Sequence, residues 1–207
     1  VKRPAGSCRF TLFIKGRAWY KRSSHNGRLQ FKQTEEKEKL MDSKEVKAVA
    51  NFLIADYENE MKTTLNVLAA VPNGHLDYQP AAKSKTGLGL VRHITLEDEW
   101  ILNCIANGAF TNPPDDSDAC GIMTPADAVA RYKEKVPAAL TRVRAMSGEQ
   151  LTKVMDLLGL IQMPAINFLA LALKHSVHHR GQLSSYLRPM GGTVPSIYGP
   201  TAENPMR

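Results

Sequence analysis

The sequence predicts an all-α fold, a four-helix bundle preceded by a disordered basic arm, and three observations predict it. Four long segments carry apolar residues at spacings of three and four, the period of an amphipathic helix. No internal repeat, glycine-rich phosphate loop or strand–helix alternation interrupts that pattern, so helix-on-helix packing is the architecture left. The composition also changes abruptly near residue 40.

The charge is what separates the arm from the body. The chain has a net charge of +7, but residues 1–40 hold 11 Lys and Arg against 3 Glu, so the arm is +8 and residues 41–207 are −1. A basic surface confined to an arm argues against nucleic-acid binding by the fold. The apolar piece Phe10 to Ile14 is broken by Lys15 and has no small-residue cleavage site after it, so it is not read as a signal peptide. Residues 1–40 are expected to be a disordered arm or an upstream extension, with Met41 as the natural start. Residues 41–207 are expected to be the bundle with an extended C-terminal tail. The apolar stretch Leu157 to Leu173 is interrupted by Gly159, Gln162, Pro164 and Asn167, short of the roughly 20 residues a membrane span needs. Three cysteines, Cys8, Cys104 and Cys120, form neither a disulfide framework nor a zinc knuckle, which points to a reducing, cytoplasmic setting.

Asp42, with Glu45 at the third helical position, forms a capping box for the first helix. Val46, Val49, Leu53, Tyr57, Met61 or Thr64, Leu65 and Leu68 supply its apolar stripe, and Val71-Pro72-Asn73-Gly74 ends it. After a loop to Thr86, a second helix is expected from about Gly87 to Asn107, with Leu90, His93 or Ile94, Glu97, Ile101 and Cys104 or Ile105 turned inward. Asp115, Asp116 and Asp118 lack the Gly and distal Glu of a calcium loop and read as a solvated turn. Thr124-Pro125, with Asp127 behind it, starts the third helix, which Pro137 is expected to kink and Ser147-Gly148 to end. Leu151 to Met163 reads as a loop or short helix. The last helix runs from about Pro164 to Leu187, stopped by Pro189 and the Gly191-Gly192 pair.

That last helix carries the chemistry. Within Lys174 to Arg188, KHSVHHRGQLSSYLR, three of the chain's six histidines fall inside five residues. At about 100° per residue, His175 and His179 share one face one turn apart, so the two imidazoles can share one metal ion. His178 competes for the same role, and spacing alone leaves the choice between it and His179 open. His93 on the second helix reads either as a satisfied core histidine or as a third ligand, with Glu97 one turn on able to hold its ring or to reach the ion. Three neutral imidazoles would leave coordination positions open, which separates a catalytic site from a closed structural one. Zinc, nickel, iron and copper all suit such donors.

The run HSVHHRGQLSSYLRPMG, together with RHITLEDEW on the earlier helix, resembles the DinB-like (DinB/YfiT-like) family of damage-inducible bacterial proteins, unrelated to the polymerase of the same name. The resemblance covers about Met41 to Tyr198, and its motif HxxxHRGQL falls on His175, His179, Arg180, Gly181, Gln182 and Leu183. It implies a four-helix bundle, commonly a homodimer, with a divalent ion (zinc, nickel or iron) on His93, His175 and His179. It also implies thiol-dependent transfer to, or hydrolysis of, a small-molecule electrophile, with a low-molecular-weight thiol as partner. A non-catalytic metal-binding bundle that acts through an interaction in a stress response is the competing expectation. No catalytic residue is assigned, and neither a membrane nor a nucleic acid is expected as partner.

Overall fold

The computed structural model describes residues 11–14, 17–22, 30–34 and 41–205, and the chain divides into two compact units, Val1–Leu40 and Met41–Arg207. In the first unit β1 (Thr11–Ile14), β2 (Arg17–Arg22) and β3 (Gln30–Thr34) form an antiparallel sheet in the order β1-β2-β3, with Leu12 opposite Trp19 and Tyr20 opposite Lys32. The arm was expected to lack regular structure. These three stretches depart from that expectation because Thr, Phe, Ile, Trp and Tyr favour strands, while the interleaved Lys, Arg and Gln hide the alternation. The rest of the expected disorder lies outside the described residues.

The second unit is a four-helix bundle. Its long helices are α1 (Ser43–Ala69), α2 (Gly87–Asn107), α3 (Pro125–Ala145) and α5 (Ala165–Leu187), with a short α4 (Gly148–Thr152) between the last two. The expected caps form. Asp42 accepts from the Glu45 amide at 2.8 Å while Glu45 accepts from the Asp42 amide at 2.8 Å, and Thr124 pairs with Asp127 in the same way. Thr86 caps α2, and Gly108 ends it at φ +75°, a left-handed conformation that suits glycine. Across Pro137, α3 continues as one helix.

Both α1 and α2 pack against α3 and α5, so consecutive helices α1 and α2 stand diagonally across the bundle. The 17 residues between them make that crossing. Ile54, Tyr57 and Leu68 from α1, Leu90, Ile94 and Leu102 from α2, Tyr132, Val136 and Leu140 from α3, and Phe168, Leu169 and Leu183 from α5 fill the centre. The stripe expected on α2 is corrected at one place: Glu97 is only half-buried, and its neighbour Asp98 is the acid that faces the core.

The segment expected as a loop or short helix holds α4 and a hairpin, β4 (Val154–Leu157) with β5 (Ile161–Pro164), joined by a turn in which Leu158 and Gly159 have positive φ. An apolar run of this length does not declare its period, which is why the strands escape a sequence reading. No helix of the described residues is long and apolar enough to cross a membrane.

Gly148 marks the tightest approach between α4 and α1, since a Cβ there would lie 1.9 Å from the Ser43 carbonyl oxygen. Gly148→Ala is therefore expected to destabilise the chain by about 1–3 kcal/mol in urea unfolding. Gly181, in mid-helix with open space around it, is the contrast: Gly181→Ala should raise stability by roughly 0.5–1 kcal/mol.

Candidate metal centre

Helices α2 and α5 run antiparallel, as the pairings of His93 with His179, Asp98 with Ser176 and Phe110 with Phe168 show. His93, His175 and His179 therefore meet across the α2–α5 seam, each half-buried. One nitrogen from each ring lies within 4.8 Å of the others, and the His93 and His179 Nε2 atoms are 3.2 Å apart. The ring centroids of His175 lie 4.4 Å from His179 and 5.1 Å from His93.

Burial, and then the neighbouring imidazoles, lower the pKa of His175 to about 3. Burial and then His179 lower His93 to about 4. Burial also lowers His179, although its bond to Gln182 works the other way. All three rings are neutral at pH 7, so each offers a lone pair. Tetrahedral zinc on imidazole, with bonds of about 2.0–2.1 Å, places donors about 3.3 Å apart; the His93–His179 separation fits such an ion. His178 is exposed and borders a cavity of about 490 Å³ with Glu60, Lys174 and Tyr198 on the α1 side of α5. His75, in the turn before α2, is exposed as well.

Glu97 makes no hydrogen bond to another described residue and stands outside the three-histidine cluster. Burial raises its carboxyl above the usual range. Lys85 and Asp116 pair at 2.7 Å, and both charges are felt by His93 and Glu97. The aspartate-rich segment is more than a solvated turn. Besides Asp116, Asp118 accepts at 2.6 Å from Arg92, whose Nε donates to the Ile122 carbonyl, so the loop is pinned to α2.

Two buried polar clusters support the site, and only the buried partners of an acid and an arginine would have betrayed them in the sequence. One oxygen of Asp98 accepts from Tyr132 at 2.7 Å and from Ser176, the neighbour of His175, at 2.6 Å; the Tyr57 hydroxyl lies in the same cluster. Burial pushes the Asp98 carboxyl up to about 7. Arg180 is 1% exposed and pairs with Glu60, and both bond the Tyr198 hydroxyl, which latches the C-terminal tail onto α1 and α5.

A family model described as DinB family matches residues 28–206. The chain belongs to the DinB family. The match extends the resemblance seen in the sequence into the last residues of the arm. YjoA of Bacillus subtilis is 27% identical over 155 residues, covering 72% of this chain and 96% of that protein. Its crystal structure superposes with a TM-score of 0.57 at 24% identity, over 70% of this chain and 96% of that one. A DinB-like protein of Bacillus cereus gives 0.59 at 22%, over 70% and 95%. YfiT of Bacillus subtilis, described as a "probable metal-dependent hydrolase with an unusual four-helix bundle topology", gives 0.58 at 15%, over 76% and 94%. These structural likenesses carry the DinB fold.

The shifted groups set a pH dependence for the metal-free chain. His93 and His175 are depressed, so their contribution is full above the ordinary histidine value of 6.5 and is lost as pH falls through about 4 and 3. Asp98 is raised, so its contribution is full below 3.8 and is lost as pH rises through about 7. Two groups oppose one, and urea midpoints in chelator should fall from pH 7 to pH 4. Asp98→Asn removes the compensating gain and should steepen that fall.

Proposed function

We propose that this DinB-family chain is a divalent-metal-dependent enzyme that activates a thiol or a water for S-transfer to, or hydrolysis of, a small electrophile. The observation that carries this reading is the convergence of three neutral imidazoles with no fourth protein donor in their cluster among the described residues. Such a set leaves room for an exogenous ligand. When bound by His93, His175 and His179, a zinc, nickel or iron ion supplies Lewis acidity that makes a water or thiol nucleophilic near neutral pH. The hydrolase description of YfiT, a structural neighbour, supports the same class of chemistry.

The chain's own residues shape what can react there. Glu97, one turn from His93 on the same face of α2, offers a carboxylate whose raised pKa suits proton transfer. The Lys85–Asp116 pair sets the local charge around His93.

We also propose that the chain acts as a homodimer. Phe52 is 70% exposed on α1, and Val49 on the same helix, Met41 just before it, and Val154, Leu160 and Ile161 on the hairpin and its turn are exposed in part. Val49, Leu53, Met163 and Ile166 line a groove of about 340 Å³. Exposed apolar residues together with an apolar groove support an association face.

The full chain should purify with close to one divalent ion per copy, and His179→Ala should lose most of it by elemental analysis. Unchanged metal content in that variant would sink the site. In a screen pairing small thiols with electrophiles, turnover should vanish on chelation and return with added metal; turnover persisting in metal-free protein would defeat the ion-activated nucleophile, and a loaded protein that turns nothing over would favour a non-catalytic bundle. Sedimentation should give a dimer that Phe52→Glu shifts towards monomer.

A further inference from the structure

We propose that Gln182 is a positioning residue that fixes the ring tautomer of His179, so that the nitrogen facing His93 carries a lone pair instead of a proton. The proposal rests on the metal-site reading for its consequence, but its geometry stands alone. Gln182 follows His179 by three residues on α5, a spacing that makes side chains neighbours. Its Oε1 lies 3.0 Å from His179 Nδ1. A carbonyl oxygen only accepts, so Nδ1 must hold the proton, and His179 Nε2 is left as the acceptor. Across the 3.2 Å gap the metal-free pair is then completed by a proton on His93 Nε2, and for that nitrogen to meet a cation the neutral His93 ring must shift to the tautomer with its proton on Nδ1.

The amide could in principle turn over and present its NH2 to His179. That orientation would demand a lone pair on Nδ1 and a proton on Nε2, the tautomer that cannot ligate through Nε2. Tyr186 decides against it. Its hydroxyl donates to the Lys85 carbonyl at 3.4 Å and so keeps a lone pair for the Gln182 Nε2, 3.5 Å away. The Tyr186 ring is held edge-on against Tyr78, with centroids 5.5 Å apart. A buried tyrosine thus orients an amide, the amide sets a proton, and the proton's place on Nδ1 leaves the seam-facing Nε2 of His179 with its lone pair. The other two histidines of α5 lack this device: His175 Nδ1 is buried with no partner, and His178 makes no hydrogen bond among the described residues.

The test uses the full chain, free of metal, with histidine tautomers read from long-range nitrogen–proton correlation spectra. His179 in the wild-type chain should show a protonated Nδ1 and a bare Nε2, and Gln182→Met should give a mixture. Zinc affinity, read by competition with a chromophoric chelator, should drop about 10–100-fold in Gln182→Met. Gln182→Glu, whose carboxylate accepts the same proton, should keep at least the wild-type affinity. A wild-type His179 protonated at Nε2, or a folded Gln182→Met chain binding zinc as tightly as wild type, overturns the assignment. Should the wild-type chain take up none of zinc, nickel and iron, the metal reading fails, and the tautomer spectrum, which needs no variant and no metal, still decides the role of Gln182.

Discussion

The carboxyl of Asp98 sets the register on which the seam between α2 and α5 depends. It is fully buried, and one of its oxygens takes hydrogen bonds from Tyr132 on α3 and Ser176 on α5. Leaving such a group unpaired costs about 1–3 kcal/mol, and more if it is charged. A slide of α5 past α2 by one turn would break the Ser176 bond, so the apolar packing around it, tolerant of shifts on its own, acquires one preferred alignment. Ser176 next to His175 then fixes where the rings fall. Five residues back along α2 and three forward along α5, the same alignment places His93 opposite His179.

A second buried polar group holds α5 from the other side. Arg180 reaches Glu60 on α1 and the Tyr198 hydroxyl of the tail. Breaking a buried pair by removing one partner typically costs about 3–5 kcal/mol, because the survivor is left uncompensated. Successive residues on a helix diverge by about 100°, so clamping Arg180 towards α1 also constrains the direction of His179. The histidines are therefore aimed by two hydrogen-bonded anchors on α5, one towards the bundle centre and one towards α1. This pre-set geometry limits how far the rings must reorganise to meet a cation.

Much of this was legible in the sequence. Helix ends were readable because caps are local chemistry: Asp42 with Glu45, and Thr124-Pro125 with Asp127, need only their own turn. His175 and His179 were readable as a pair because helical spacing is also local. What spacing could not choose between, His178 and His179, depends on which face of α5 meets α2, a tertiary fact. His93 was ambiguous for the same reason. The swap of Glu97 for Asp98 on the buried stripe shows the limit sharply: the two acids are adjacent, and only the hydroxyls of Tyr132 and Ser176, 34 and 78 residues away, make Asp98 the buried one. The hairpin after α4 was hidden because Val154 to Pro164 is too short and too uniformly apolar to show a period.

The placement of the histidines separates the work of folding from the work of the site. The bundle centre is occupied by Asp98 with its tyrosine and serine partners, whereas the three imidazoles are half-buried at the rim between two helices. The imidazoles are neutral and only half-buried, so they carry no buried charge that a cation would have to offset, although His175 Nδ1 is itself buried without a partner. Conversely, the desolvation that depresses His93 and His175 is partial, enough to keep them unprotonated at neutral pH without forcing them into the core. The donor set is thus distinct from the groups that hold the bundle in register. That is a physical reason to look for reactivity at the α2–α5 seam and for stability at Asp98.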